Sequence, residues 1–486
     1  MIAHFKRLTG QIFYYGLGDI ATKLITVLIL PIFARYLTPA DFGVASILIV
    51  STILVSGLAD LGLSVSTYRF YYEGKDQNKF RLISTVQIFS TLITIIIAFV
   101  VIFFSQSLSQ IFFKTSDYNY IIILAFLSIP LNNLTVAQIN RLKLENKAKV
   151  CANIQITKAL TDIIFKVILI IFLKHGINGL FEGQIINATI YAIIFIIYSL
   201  RITGFGFSYT LLKKMLRFGL PFAFSPIFFW ILNWADRLIL GRMTNMTEVG
   251  LYTLGYTVGM AVMLPVGAFT TAWPTFYMSV IKEPKAKKFF SLVLTYFSLI
   301  IGYFALLIII LSPDYFYFLT PVQFHSAYTI VPMVAFSYIF LGHYSIMITG
   351  TYLKRKTFYI FITEVLAIII NLGLLFLLVP RFGRIGAAWA TLGSYFALPV
   401  IIYALTFKVF PIKYEYKRLI QILIAILIVL WINQFLYAPN IWNLFLRLLI
   451  SLFYPLILLL MGFFEKTEIK LLKLNFAKYS SKIIKK

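Results

Sequence analysis

Three charged side chains, Lys158, Asp162 and Lys166, stand four residues apart inside a long apolar run. On a helix, i, i+4, i+8 spacing puts all three on one face. Two ammonium groups around one carboxylate leave net positive charge, which suits an anionic headgroup. Charge inside a membrane rarely faces lipid, so cavity lining is favoured over a bare ion-pair stripe pinning one helix to its neighbour. The chemistry implied is recognition; no nucleophile–base pair accompanies it.

Other ionisable residues fall inside apolar runs as well. Asp19 and Lys23 are spaced i, i+4 with the acid first, so they can neutralise each other. Asp60 and Glu364 sit nearer the ends of their runs and, with Asp162, Asp19 and Asp236, are the candidates for coupling an ion. Lys23, Lys158, Lys166, Arg237 and Arg447 are the candidates for holding an anionic substrate. Asp236 and Arg237 are adjacent, and neighbours on a helix point about 100° apart, so they are not expected to face each other. Arg237 is expected to snorkel outward at a helix end, with Asp236 turned to protein and a gate role as the alternative. Arg447 divides between the same two roles.

The elements that must position these residues are set by composition. The 486 residues are 60% hydrophobic and 12% charged, against roughly 45–50% and 25% in soluble domains. The chain is therefore an integral membrane protein. One cysteine, Cys151, excludes a disulfide framework and Cys-cluster metal sites, and the four histidines have no paired-ligand spacing. No GxxxxGK[ST] loop is present, so ATP hydrolysis through a P-loop is excluded. Neither a cofactor nor a metal is expected. The basic start MIAHFKRLTG leads into an apolar run too long for a signal peptide, expected to be a retained first helix.

At about 20 residues per crossing, fourteen spans are expected: 12–35, 42–66, 82–104, 119–140, 151–173, 178–200, 218–240, 246–272, 290–312, 325–349, 358–379, 385–407, 418–436 and 441–463. Alternate gaps between them hold 32 of the 43 Lys and Arg, and the opposite gaps hold six. That phase places both termini in the cytoplasm and explains the net charge of +26 without nucleic acid. Short outer loops argue against a membrane-embedded polymerase or glycosyltransferase. The inverted five-helix repeat of a proton-pumping subunit conflicts with the spacing below.

Arg35, Asp41 and Gly43 recur as Arg242, Glu248 and Gly250, 207 residues on. At the same offset Gly176 and Gly179 map onto Gly383 and Gly386, and Lys147 and Lys149 onto Lys354 and Lys356. Three coincidences at one offset mark an internal repeat. Six spans per copy make it parallel, the arrangement in which two lobes rock around a midplane site. The expected fold is an all-α polytopic membrane protein of about fourteen helices. It divides into lobes at 1–207 and 208–414, two extra helices at 415–464 and a basic tail at 465–486. The repeated acid is expected in a first helical turn, where it suits the dipole, and the glycine at a close helix contact.

Four stretches carry a family likeness: "ARYLTPADFGVASI" (Ala34–Ile47), "LADLGLSVSTYRF" (Leu58–Phe70), "ADRLILGRMTNMTEVGLYTLGYTVG" (Ala235–Gly259) and "FGRIGAAWATLGSY" (Phe382–Tyr395). In order and spacing they resemble polysaccharide-biosynthesis flippases, the Wzx-type branch of the multidrug/oligosaccharidyl-lipid/polysaccharide exporter superfamily. The resemblance covers residues of about 10–410 and implies a V-shaped pair of lobes around a cationic cavity. It implies a substrate of undecaprenyl-pyrophosphate-linked oligosaccharide, with proton or sodium as coupling ion and a polysaccharide polymerase and glycosyltransferases as partners. A pyrophosphate is held well by Lys and Arg, while the polyprenyl tail stays in lipid. A peptidoglycan-precursor flippase and a cation-coupled multidrug exporter are the alternatives within the superfamily.

Overall fold

The computed structural model describes residues 21–22, 24–73, 76–202, 206–223, 225–281, 283–436 and 439–465. Asp19, Lys23, the basic start and the tail beyond 465 lie outside them. Among the described residues there is no strand. The first half holds α1 (Leu24–Ala34), α2 (Pro39–Ala59), α3 (Leu63–Glu73), α4 (Asp76–Phe103), α5 (Ser105–Phe113), α6 (Asn119–Leu144), α7 (Ala148–Val167) and α8 (Gly176–Ile202). The second holds α9 (Tyr209–Gly219), α10 (Ser225–Met243), α11 (Met246–Gly259), α12 (Met263–Val280), α13 (Ala286–Leu319), α14 (Val331–Met347), α15 (Thr349–Leu353) and α16 (Phe358–Phe407). The last helices are α17 (Tyr416–Asn433), α18 (Ile441–Ser451) and α19 (Phe453–Leu460).

Ten described helical stretches are long and apolar enough to cross a bilayer, against the fourteen spans expected. The difference has physical causes. α16 runs for 50 residues, about 75 Å at 1.5 Å per residue, more than twice a bilayer core of about 30 Å. Gly383, with φ 53° and ψ −131°, breaks it where the sequence separates 358–379 from 385–407. α7 and α10 carry the intramembrane charges, which lower their apolarity. Of the first span, the described helix is the short Leu24–Ala34.

Local signals set the boundaries. Thr38 caps α2 with Pro39 in the first turn, and the chain leaves that helix through left-handed Leu61 and Gly62. A π turn, Ile168–Phe172, carries α7 to left-handed Lys174 and Gly176, where α8 begins. Large apolar side chains such as Leu28, Phe99, Phe103 and Phe172 point outward, the surface a lipid-embedded bundle presents. The largest buried apolar cluster joins Tyr252, Phe290, Phe297, Tyr338 and Tyr395 in the second half.

One element differs from the sequence reading. Residues 201–217 read as a basic loop, but α9 is an amphipathic helix with Leu212 and Met215 buried and Lys213, Lys214 and Arg217 exposed. It docks on α3: Ser66 Oγ donates to the Met215 carbonyl at 2.8 Å. A Cβ on Gly62 would stand 2.0 Å from the Gly219 carbonyl oxygen, so glycine is required by the contact as well as by φ +73°.

Candidate functional site

The two halves meet at the N-terminal turns of α2 and α11. A Cβ on Gly43 would lie 1.9 Å from the Met246 carbonyl oxygen, and one on Gly250 would lie 1.7 Å from that of Pro39. Thr253 Oγ1 donates to Ser46 Oγ across 2.8 Å, from 207 residues away. Residues one repeat apart therefore seat reciprocally on each other, as small residues permit in close membrane packing. Trp230 Nε1 of α10 adds a bond to the Val50 carbonyl of α2 at 2.7 Å. At this end the two halves are in backbone contact, with an apolar cavity of about 320 Å³ beside the contact lined by Ile47, Arg242 and Met246. The expected roles of both hairpins hold, with Asp41 and Glu248 in first turns and both glycines at the contact.

Toward the opposite, Lys/Arg-rich face lies a cavity of about 660 Å³. It is lined by Ser56, Asp60 and Ser64 at the α2–α3 turn, Asn132 and Asn133 of α6, and Phe222 following α9. The Asp60 carboxylate is held by the Ser64 hydroxyl at 2.6 Å and the Ser64 amide at 3.2 Å. Lys158 Nζ donates to Asn132 Oδ1 at 2.8 Å, so it reaches the cavity wall from behind through an amide. Asp162 instead pairs with Lys166 at 2.5 Å. The three charges share α7, but they divide into a neutral pair and one lysine bound to the cavity lining.

A second cavity of about 250 Å³ lies within the second half, lined by Asn233, Thr270, Tyr344, Ser345, Glu364 and Tyr395. Tyr344 donates to Glu364 at 3.4 Å, and Tyr395 donates to Asn233 Oδ1 at 2.7 Å.

Asp236 and Arg237 overturn the expectation that they do not pair and that Arg237 snorkels. Arg237 Nη1 meets Asp236 Oδ1 at 2.8 Å, and the two residues are 2% and 3% exposed. The guanidinium is long enough to curl back along its own helix, donating also to the Asn233 carbonyl at 3.0 Å. Tyr252 donates to the second Asp236 oxygen, and the rings of Trp234, Tyr252 and Tyr256 face the guanidinium. A fully enclosed cation in an aromatic cage has no reason to seek the interface. Arg447, the other candidate interface anchor, is also buried, paired with Asp314 at 2.5 Å and donating to the Leu436 carbonyl at 2.8 Å.

Sequence reasoning missed several partners. Asp314 follows Pro313, just past the end assigned to its span, and α13 continues through it. Asn132, Asn133 and Asn233 carry no charge, yet an amide inside an apolar run is itself a signal for interhelical bonding. Outside the spanning segments, Glu145 accepts from Arg141 and Lys147, each at 2.7 Å. Burial alone would raise its carboxyl pKa, but these hydrogen bonds outweigh it and hold the value below the usual range. No group of three His, Cys, Asp or Glu converges as a metal-ligand set among the described residues. The arrangement pairs Asp162 with Lys166, Asp236 with Arg237 and Asp314 with Arg447, and leaves Lys158, Asp60 and Glu364 on uncharged partners.

Such a multi-pass helical protein has the fold of known transporters. It is similar over 91% of its length, and 97% of the other chain, to a lipid II flippase MurJ in an inward closed conformation (TM-score 0.73, 18% identity). It is also similar over 81% of its length and 93% of the other to an inward-facing multidrug resistance MATE family transporter of the MOP superfamily (TM-score 0.64, 14% identity). The family profile of polysaccharide biosynthesis proteins matches residues 8–280, and the chain belongs to that family. The Lsg locus putative protein 1 of Haemophilus influenzae is 23% identical over 283 residues, 56% of this chain. The match spans 66% of that relative, just under two thirds of its length.

Proposed function

We propose that this protein moves a polyprenyl-pyrophosphate-linked oligosaccharide from the cytoplasmic to the outer leaflet of a bacterial inner membrane by alternating access. The observation that carries the reading is an asymmetry between the ends: reciprocal glycine contacts hold the halves together at one, and a cavity carrying Asp60, Asn132 and Asn133 lies toward the Lys/Arg-rich face. On the positive-inside rule that face is cytoplasmic, with both termini on it. Membership of the polysaccharide biosynthesis family supports the substrate class. Residues 1–207 and 208–414 are the two lobes that rock, the sugar passes along the amide-lined wall, and Lys158, behind Asn132, supplies positive charge to that wall for the pyrophosphate. Asp60 and Glu364 are the acids assigned here to a coupling proton or sodium ion, a reading supported by each lining a cavity.

The test is a deletion strain assayed for lipid-linked oligosaccharide on the cytoplasmic leaflet. Accumulation there, relieved by the wild-type gene, is expected. Normal surface glycan without a second flippase would refute the reading, and accumulation of peptidoglycan precursor would replace the substrate with that one. In the same strain Lys158→Ala is expected to impair export with folded protein still present in the membrane.

A further inference from the structure

A third polar hollow lies apart from both cavities, between α3, α4 and α9. It measures about 420 Å³ and is lined by Lys79, Arg81 and Lys214, by the hydroxyls of Ser208 and Thr210, and by Glu73. Three cations face one carboxylate, and that carboxylate already accepts from Arg69 Nε at 2.9 Å. The Arg81 guanidinium is fixed by the Phe207 carbonyl at 3.2 Å. Lys79 Nζ stands 5.0 Å from the Tyr71 ring centroid. The two hydroxyls lie 3.1 Å apart. The hollow thus gathers three basic side chains and two hydroxyls beside one acid that is paired with Arg69.

Its rim decides what fills it. Phe207 and Tyr209 flank the lining residues in sequence and are 43% and 69% exposed, while Phe80 turns its ring to Arg141 of α6. α9 is docked by its apolar side with Lys213, Lys214 and Arg217 outward. Exposed aromatics beside clustered cations belong at a membrane–water boundary, where rings sit at headgroup depth and basic pockets take anionic headgroups. A soluble phosphate would gain nothing from that rim.

We propose that this niche binds the phosphodiester of an anionic membrane phospholipid, Lys79, Arg81 and Lys214 facing the phosphate and the aromatic rim its glycerol and upper acyl chains. The bound lipid clamps α9 to α3 and α4. The site stands whether or not the chain flips an oligosaccharide.

The test uses the full chain in phosphatidylcholine nanodiscs with a minor share of labelled phosphatidylglycerol. Wild type is expected to retain phosphatidylglycerol selectively. The double variant Lys79→Gln/Lys214→Gln is expected to retain roughly thirtyfold less, each basic residue near an anionic surface contributing about 1 kcal/mol. Lys213→Gln, one position away on the same helix but outside the niche, is expected to leave retention unchanged. Thr210→Glu places a carboxylate among the cations without removing any, and is expected to expel the lipid in a protein whose melting in pure phosphatidylcholine is normal. Equal retention by wild type and either niche variant would overturn the proposal, as would an equal loss in Lys213→Gln. Inorganic phosphate binding at physiological concentration and displacing the lipid would assign the niche to a soluble anion instead.

Discussion

The hairpins at Thr38–Gly43 and Asn245–Gly250 are one design executed twice, with one difference in reach. In the first copy Asp41 folds back on its own helix start: the Thr38 amide donates to Asp41 Oδ2 at 2.8 Å while the Asp41 amide donates to Thr38 Oγ1 at 3.2 Å. In the second, Asn245 caps alone, accepting from the Glu248 amide at 3.0 Å. Glu248, one methylene longer, is free to reach away and binds Arg384 through both its guanidinium and its backbone amide. A closed capping box stabilises one helix. The open version ties a helix start to the α16 break 136 residues away. The longer acid, together with Arg384 where the first copy has Ile177, separates local closure from a long-range tie.

Substitutions can break the comparison. The largest effect is expected at the glycines. Gly43→Leu and Gly250→Leu should each abolish complementation of a deletion strain, because even a Cβ overlaps a backbone carbonyl that cannot move aside. The paired cysteine variant Ser46→Cys/Thr253→Cys, in a Cys151→Ser background, should then lose the cross-link it forms in the parent. If one glycine proves silent, the two seats are not equivalent.

Next comes the acid. Glu248→Gln and Arg384→Ala are expected to destabilise by about 1.5–3 kcal/mol, the range for hydrogen bonds to charged groups, and to couple in a double-mutant cycle of melting in detergent. Asp41→Asn is expected to show no coupling to any second-half residue. Thr38→Ala should cost about 0.5–2 kcal/mol, the range for losing a cap, and should stay confined to α2 by hydrogen exchange. Coupling of Asp41 to a second-half residue would dissolve the contrast.

The smallest effect sits on the opposite face and supplies the pH control. The Glu145 pKa is lowered, so its contribution is full above the ordinary carboxyl value and vanishes as pH falls through the folded-state value. Glu145→Gln should lower melting modestly at neutral pH, flatten the acid side of the profile so that variant and wild type converge at low pH, and spare both hairpins. An unchanged profile would remove the α6–α7 turn as a source of acid sensitivity.

The hairpins were legible because a repeat supplies its own control: the same acid and glycine at the same spacing twice is unlikely by chance. The pairing of Asp236 with Arg237 was not, since helical periodicity gives the direction of Cβ and says nothing of where a guanidinium several bonds away curls. Arg447 could not be assigned while Asp314 was counted outside its helix, because a proline at a span end reads as a stop, whereas α13 passes through it. The docking of α9 was hidden because a short basic amphipathic stretch looks alike as a loop, a surface helix or a docked one. The cavity wall was missed for a simpler reason. Attention to charge passes over Asn132 and Asn133, and Asn132 is what connects Lys158 to the cavity.

The reciprocal seat also has a consequence for biogenesis. Ser46 and its partner Thr253 are 207 residues apart, a gap of about 10–40 s at common rates of synthesis. Throughout that interval the first hairpin is in the bilayer with its glycine notch unmatched. The notch is narrow and its hydroxyl can bond within its own helix, so a half-made chain presents lipid with a tolerable surface and waits for the complementary turn.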